Sequence, residues 1–213
     1  MELKQYHEEA LRTESVIPQI SGVSAPHLYL LLSAAHSLGE MLDQFKKGIF
    51  YRKPIDINRF KKGLTDLQDL IGTLSPESIT AEELHDDTKT LLMNGFDGKT
   101  HNIGLGSLAA IDTRILHASL GVFTESAEIC KALVNTIEGQ SLDLVNLSEE
   151  FGDLNWYALG VFPSASGIHY GRILETNIVK LAVRYPEKFE TFLAHDVNRN
   201  LVEERKALAN GIK

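Results

Sequence analysis

LYLLLSAAHSLGEMLDQFKKGIF, residues 28–50, is the stretch whose apolar pattern decides the fold class. Its apolar residues recur at steps of three and four: Leu28, Leu31, Leu32, Ala35, Leu38, Leu42, Phe45 and Ile49. This spacing is typical of a helix that buries one apolar face. The same steps continue through Leu64, Leu67, Ile71 and Leu74, which predicts a second amphipathic helix from Phe60. We expect Ser75-Pro76 to end this second helix.

The rest of the chain also follows a helical period. We predict helices over residues 80–93, 107–137, 142–159, 168–184 and 189–209, with residues 94–106 as a Gly-rich loop. Thr80-Ala81-Glu82-Glu83 has the form of a capping box at a helix start. Gly160 and Pro163 are expected to break one helix, and Tyr185-Pro186 to end another. No alternating strand pattern competes, so the predicted fold class is all-α, a helical bundle.

An internal alignment relates the two halves of the chain. Residues 56–67 align with residues 143–154 without gaps, which pairs Asp56 with Asp143 and Asp66 with Asp153. After a one-residue shift, Glu40 aligns with Glu128. We therefore predict two pseudo-repeated helical units: a degenerate repeat in residues 1–75, a short helix and Gly-rich linker in 76–106, and a catalytic unit in 107–213. Chance similarity is the alternative, because any two antiparallel amphipathic helices share part of this pattern.

Composition restricts the class of protein. The 213 residues carry a formal charge of −8, which argues against dedicated nucleic-acid binding. No apolar run approaches the roughly 18 residues that would span a membrane, and residues 1–5 have no signal-peptide character. The only cysteine is Cys130, which fits a reducing compartment. We expect a soluble, cytoplasmic protein with no membrane partner.

Four carboxylates occupy two predicted helices of the second half. Glu125 and Glu128 are three residues apart on one helix, and Glu150 and Asp153 are three apart on the next. Residues at this spacing share a helix face, so antiparallel packing of the two helices can bring all four together. Close carboxylates in apolar surroundings need a counter-charge, and oxygen ligands alone suit Mg²⁺, or Mn²⁺ as the alternative. The competing interpretation is two exposed acidic helix faces.

These residues also match a known pattern. Thr124-Glu125-Ser126-Ala127-Glu128, then Glu150-Phe151-Gly152-Asp153 and Leu154-Asn155-Trp156-Tyr157, resemble the signature of the all-α nucleoside triphosphate pyrophosphohydrolases. This MazG-like superfamily is related to the dimeric dUTPases and to phosphoribosyl-ATP pyrophosphohydrolase. One departure is Thr124, which occupies the position of the first Glu in the family motif. Around Tyr6, Ala10 and Arg12-Thr13 the chain is also similar to phage-type members.

The resemblance implies an activity and a set of site residues. It implies Mg²⁺-dependent hydrolysis of a nucleoside triphosphate, foremost a dNTP, to the monophosphate and pyrophosphate by metal-activated water at the α-phosphorus. The metal and catalytic residues would be Glu125, Glu128, Glu150 and Asp153. Residues 177–186 resemble the family's third element, in which Asn177, Lys180, Arg184 and Tyr185 would bind the triphosphate substrate. Family sites combine two subunits, so a homodimer or an intrachain pseudo-dimer is expected.

The first half lacks a complete acidic set. Glu40 and Asp66 match Glu128 and Asp153, but Ser37 lies near the position of Glu125, and Gly63 replaces Glu150. A basic run, Lys46, Lys47, Arg52, Lys53, Arg59, Lys61 and Lys62, is either a solvated connection or a group of cations that reaches the nucleotide phosphates. Two other functions stay open: a dUTP or phosphoribosyl-nucleotide pyrophosphohydrolase of the same fold, and an inactive helical interaction protein.

Overall fold

The computed structural model describes residues 2–74, 79–194 and 196–212, and the regular secondary structure within these ranges is helical except for one short β-hairpin. The first helices are α1 (Leu3–Leu11), α2 (Ala25–Tyr51), α3 (Ile57–Thr73) and α4 (Ala81–His85), followed by strands β1 (Leu91–Asn94) and β2 (Thr100–Ile103). Then come α5 (Leu105–Leu108), α6 (Thr113–Ile137), α7 (Leu144–Asn155), a π-helix (Trp156–Val161) and α8 (Phe162–Ser166). The last elements are α9 (Tyr170–Arg184), α10 (Thr191–Ala194), a 3₁₀ turn (Asp196–Asn198) and α11 (Leu201–Ile212). The all-α fold class is therefore confirmed.

The chain divides into two compact units built from interleaved segments. Unit 1 comprises Met1–Gln19, Ile111–Asn177 and Asn210–Lys213, and unit 2 comprises Ile20–Ala110 and Ile178–Ala209. The boundary falls within α9, after Asn177. None of the helices in the described ranges combines the length and the apolar character that a membrane span needs.

Aspartates begin three of the longer helices. Asp56 precedes α3, Asp112 precedes α6 and Asp143 precedes α7, and each carboxylate accepts hydrogen bonds from two backbone N–H groups of the first turn at 2.9–3.1 Å. Such caps satisfy donors that have no partner inside the helix, and their negative charge is favourable at the helix N-terminus. The aligned Asp56 and Asp143 therefore have the same local role in the two halves.

Several predicted helix boundaries are wrong. The chain also forms α1, which was not predicted, and the expected helix over residues 107–137 begins at Thr113 because Asp112 caps it there. The helix expected over residues 189–209 consists of α10, a 3₁₀ turn and α11. The expected stop at Ser75-Pro76 lies outside the described residues, and α3 ends at Thr73.

Residues 80–106 contain the β-hairpin, which holds the only strands in the described ranges. The helix that starts after the Thr80 cap ends at His85, and Met93 lies in β1 instead of at the end of that helix. Strands β1 and β2 pair antiparallel, with Leu91 opposite Ile103. Asp97-Gly98 lies in the connecting turn, where Gly98 has a φ of 74°. Asp-Gly at a turn is a strong hairpin signal, and it outweighs the weak helical pattern of the preceding residues.

Gly160 and Pro163 do not break the helix that follows Asp143. The chain continues from α7 through the π-helix into α8, in which Pro163 occupies the first turn. Proline has no N–H to donate to a carbonyl in the preceding turn. His7 of α1 replaces that donor, because its Nδ1 lies 3.1 Å from the Leu159 carbonyl oxygen. A contact far apart in sequence therefore stabilises a helix that the local sequence predicts to end.

The apolar face of α2 is not the buried face that the sequence predicts. Large side chains of the predicted stripe are exposed: Leu31, Leu38, Leu42, Phe45 and Ile49. The buried positions of this helix are instead Leu30, Ser33, Ser37, Met41 and Gln44. Helix α3 packs along α2, and an added Cβ at Gly63 would lie 2.9 Å from the Met41 Cγ and 3.2 Å from the Ser37 carbonyl oxygen. The close packing of α3 against α2 therefore depends on the absence of a side chain at Gly63.

Unit 1 holds α1, α6, α7, the π-helix and α8 together by apolar and polar contacts. The Trp156 Nε1–H donates to the Ala10 carbonyl oxygen at 2.9 Å. Arg114 donates from two nitrogens to the two carboxylate oxygens of Glu14 at 2.6 Å, and also to the Ser164 hydroxyl at 2.7 Å. The Glu14 side chain is 4% exposed, so this bidentate pair is a charge-assisted contact in a largely dry environment.

The Gly121–Tyr157 contact gives a direct test of this packing. An added Cβ at Gly121 of α6 would overlap the ring of Tyr157, whereas nothing lies within 4 Å of the corresponding position at Gly39 of α2. We expect Gly121→Ala to lower the free energy of unfolding by about 1–3 kcal/mol through overpacking. Gly39→Ala should raise it by about 0.5–1 kcal/mol, because alanine is the better helix former. Denaturant unfolding of both variants measures this, and equal effects would contradict the packing described.

Candidate metal centre

Three carboxylates of unit 1 meet where α6 packs against α7. Glu125 lies on α6, and Glu150 and Asp153 lie on α7, one helical turn apart. One oxygen of each carboxylate can be chosen so that all three lie within 4.8 Å of one another. Glu125 and Glu150 are partly buried and Asp153 is exposed, so the group is accessible from solvent on one side. We call these residues the acidic triad.

Neighbouring polar groups orient the acidic triad. The Asn146 side-chain amide, one turn before Glu150, donates to the Glu150 carboxylate. The Thr124 hydroxyl lies 3.3 Å from the Glu125 carboxylate and 2.9 Å from the Gly121 carbonyl oxygen. It has one hydrogen atom and therefore donates to only one of these two acceptors at a time. Thr124, the departure from the family motif, is thus a neutral neighbour of the triad where the motif has a further negative charge.

The triad is electrostatically unfavourable without a counter-charge. Burial raises the pKa of Glu125, and the nearby Glu150 and Asp153 carboxylates raise it further, with a hydrogen bond between the Glu125 and Glu150 carboxyl groups. A raised pKa means that folding disfavours the charged form of Glu125, because the carboxylate is partly buried and like charges lie close to it. Three oxygen donors at this separation suit a hard divalent cation, so the residues present fit Mg²⁺ or Mn²⁺.

Two tyrosines lie beside the triad. The pKa of Tyr157, in the π-helix, is raised by burial and by the charges of Glu125 and Asp153. The pKa of Tyr6, in α1, is raised by burial and by Asp153, and its hydroxyl lies 3.5 Å from the Gly152 carbonyl oxygen. The family resemblance includes both Tyr6 and Tyr157. It gives no sign that Tyr6 lies beside the triad, because α1 is remote in the chain from α6 and α7.

Glu128, predicted as the fourth ligand, lies outside the triad. Its carboxylate is about half exposed and lies 3.5 Å from the Lys131 Nζ, one turn further along α6. The i, i+3 spacing therefore places Glu128 beside Glu125 on the helix but does not bring its carboxylate to Glu150 and Asp153. Two residues can share a helix face and still point in different directions around the helix axis. Only side chains near the line of contact between the two helices reach the partner helix.

The predicted phosphate-binding residues are divided between the units. Asn177 is an exposed residue of unit 1, whereas Lys180, Arg184 and Tyr185 belong to unit 2. The Arg184 Nε–H donates to the Glu204 carboxylate at 3.0 Å, and Arg199 binds the same carboxylate. Glu204 is only 4% exposed. The two arginines hold the pKa of Glu204 at about 2, well below its usual value.

Most of the basic run of α2 and α3 is paired within unit 2. Lys46 and Lys47 bind Asp43, Arg59 binds Glu40, and Lys62 binds Asp66. The Lys53 Nζ donates to the Ala194 carbonyl oxygen. These contacts give the run a structural role at the surface of α2 and α3. The hypothesis that cations of this run bind nucleotide phosphates stays a prediction.

Comparisons with protein-family models, curated proteins and solved structures find no match to this chain. The function is therefore inferred from the residues of the site and from their geometry.

Cation binding gives the first test of the acidic triad. We expect Mg²⁺ or Mn²⁺ to stabilise the protein, by about 1.4 kcal/mol at a concentration ten times the dissociation constant. Glu125→Gln should raise the melting temperature in EDTA, because it removes like-charge repulsion, and should abolish the shift caused by the cation. Thermal unfolding at neutral pH, with and without each cation, measures both effects.

Two matched variants complete this test. Glu149→Gln makes the same charge change at an exposed residue next to Glu150, and it should respond to the cation as the parent does. Glu128→Gln distinguishes a three-carboxylate site, in which the cation shift persists, from the four-carboxylate site predicted from the sequence. A cation shift that survives Glu125→Gln would contradict the triad as the binding site.

The ion pairs of Glu204 with Arg184 and Arg199 predict that the free energy of unfolding depends on pH. Because the folded pKa of about 2 lies below the ordinary value of 4.5, the stabilisation is present above pH 4.5. It is lost as the pH falls towards 2, and the difference corresponds to roughly 3 kcal/mol. Glu204→Gln should therefore destabilise the protein at pH 7 and flatten the loss of stability between pH 5 and 2. Glu203→Gln, which removes an exposed ion pair with Lys206, should change unfolding by at most about 1 kcal/mol.

Proposed function

We propose that this protein is a Mg²⁺-dependent nucleoside triphosphate pyrophosphohydrolase with a MazG-like helical fold, acting on an NTP or dNTP. The observation that carries the proposal is the convergence of Glu125, Glu150 and Asp153 between two packed helices. The order of the motifs along the chain supports it, because the acidic residues of α6 and α7 precede Lys180 and Arg184 of α9. No other described group of three or more carboxylate, imidazole or thiol side chains is close enough to hold a metal ion.

The chemistry follows from the charge of the substrate. When bound, Mg²⁺ supplies Lewis-acid polarisation of phosphate oxygens and lowers the pKa of a coordinated water. Glu150 and Asp153 would serve as ligands, and Glu128, the fourth ligand predicted from the sequence, would bind only after its carboxylate left Lys131. Glu125 would bind the cation, and it is also the carboxylate of the cluster that we assign to accept the proton of the water that attacks the α-phosphorus. The bond to the β-phosphate oxygen breaks, and pyrophosphate leaves.

The residues of α9 neutralise the leaving group in this proposal. Lys180 and Arg184 are four apart and share a face of the helix, so both cations serve one polyanion. Asn177 orients a phosphate, and Tyr185 borders the substrate. Glu204 positions Arg184, since a guanidinium held by a buried carboxylate loses little further side-chain freedom when it meets a phosphate.

The proposal includes a repeated architecture and an assembly. Helix α2 packs against α3, and α6 packs against α7. In each of these two pairs an aspartate caps the second helix. The exposed apolar stripe of α2 is the feature that favours pairing of helices, as a homodimer or as an intrachain pseudo-dimer. Cys130 is a free thiol, which fits a reducing, cytoplasmic location.

Pyrophosphate release from a panel of nucleotides tests the activity. We expect Mg²⁺-dependent turnover of at least one canonical or modified NTP or dNTP, and the panel separates this from a preference for dUTP or a phosphoribosyl nucleotide. Asp153→Asn and Glu150→Gln should lower kcat by at least roughly 100-fold, because each removes charge from the site where the transition state is stabilised.

The controls separate chemistry from folding. Glu149→Gln should retain parental turnover, and circular dichroism should show unchanged helix content in all three variants. If no nucleotide in the panel is hydrolysed, or if the triad variants are as active as the parent, the enzymatic proposal fails. The first of these outcomes would favour the alternative, an inactive helical interaction protein that kept the fold.

A further inference from the structure

The α2–α3 pair of unit 2 carries an apolar face formed by two stripes. On α2 the stripe follows alternating steps of four and three residues: Leu31, Ala35, Leu38, Leu42, Phe45 and Ile49. On α3 it follows steps of three and four: Ile57, Phe60, Leu64, Leu67 and Ile71. Phe45 and Phe60, one from each stripe, are in ring contact with 5.8 Å between centroids. The two stripes therefore adjoin, and we call them together the α2–α3 face.

Most of the α2–α3 face is open to solvent. Eight of its large side chains are 41–69% exposed: Leu31, Leu38, Leu42, Phe45, Ile49, Ile57, Leu64 and Ile71. They offer roughly 800 Å² of surface, because a large apolar residue exposes on the order of 200 Å² when it is free. The largest apolar patch on a typical monomer is smaller than this, so a patch of this size is typical of an interface.

The spacing of the two stripes indicates which kind of partner covers the face. Alternating steps of four and three form the heptad pattern, by which helices pack side by side with interlocked side chains. The α2 stripe is roughly 27 Å long and the α3 stripe roughly 21 Å. A matching occupant therefore presents two apolar helix stripes of similar lengths, which is what a second α2–α3 pair provides.

The charged groups of α2 and α3 do not favour a charged partner. Glu40 of α2 pairs with Arg59 of α3, and Lys62 pairs with Asp66 within α3. Asp43 binds two lysines of α2. Because these carboxylates already have cations within the same copy, two identical faces can meet without strong repulsion between like charges.

The α6–α7 pair of a second copy is a poorer match for the α2–α3 face. The corresponding stripe of α6 contains the small residues Ala127 and Cys130, and that of α7 contains the polar Ser148. These side chains bury less apolar surface than the leucine, isoleucine and phenylalanine residues of α2 and α3. The α2–α3 face of a second copy also has the same stripe lengths by symmetry.

We propose that the α2–α3 face binds the same face of a second copy and forms a four-helix interface around a twofold axis. Such an interface uses one patch on each copy, so association closes at a dimer. The two faces together offer roughly 1,600 Å² of surface, the area of a standard stable interface. This inference selects the homodimer from the two assemblies named in the proposed function, and it rests on that part of the proposal alone.

Sedimentation equilibrium of the full chain, in EDTA and without nucleotide, tests the inference. We expect a dimer that dissociates on dilution. Leu42→Glu and Leu64→Glu, one on each helix, should weaken the dimer at least roughly 100-fold, because each places two charges in an apolar interface. Val134→Glu makes a comparable change on α6, at a residue that is 49% exposed against 52% for Leu42. It should dimerise as the parent does.

Circular dichroism separates association from folding, since both α2–α3 variants should keep the helix content of the parent. A dimer that survives both of these variants, or one that Val134→Glu dissociates, would overturn the assignment of the interface. A monomeric parent would overturn the inference and favour the intrachain pseudo-dimer. Because nucleotide and cation are absent from the measurement, its failure is distinguishable from failure of the proposed enzymatic activity.

Discussion

Two glycines set how closely the paired helices of each unit approach. At Gly121 the surface of α6 accommodates the ring of Tyr157, and at Gly63 the surface of α3 accommodates Met41 and the backbone of Ser37. A side chain at either position would separate elements that now touch, because a packed interior has no room for an added methyl group. The helix pairs depend on these contacts, and so does the acidic triad between α6 and α7.

The two helix pairs carry different arrangements of charge. Between α6 and α7, burial and the neighbouring Glu150 and Asp153 carboxylates raise the pKa of Glu125. On α2 and α3, Arg59 and Lys62 pair with Glu40 and Asp66. Unbalanced negative charge favours a bound cation, whereas carboxylates that are paired within the protein do not need one.

Local sequence signals were reliable where the physical cause is local. The predicted starts of α2, α3 and α7 lie within three residues of the observed ones, whereas α6 begins six residues later than predicted, after the Asp112 cap. Asp56 and Asp143 begin helices because a cap needs only its own first turn. The pairing of Glu125 with Glu150 and Asp153 was also predicted, since it follows from spacing and from adjacent helices. Glu128 was placed with them on the same reasoning, and its carboxylate lies beside Lys131 instead.

The sequence by itself determined the helical fold class and the pairing of Glu125 with Glu150 and Asp153, because periodicity and spacing act over a few turns. Only the tertiary structure decided which face of α2 is buried, since α3 packs against the face that carries Ser37 and Met41, with Gly63 at the contact. It also decided that the helix continues past Pro163, where His7 supplies the missing donor. Both outcomes depend on contacts between residues distant in the chain, which no local pattern encodes.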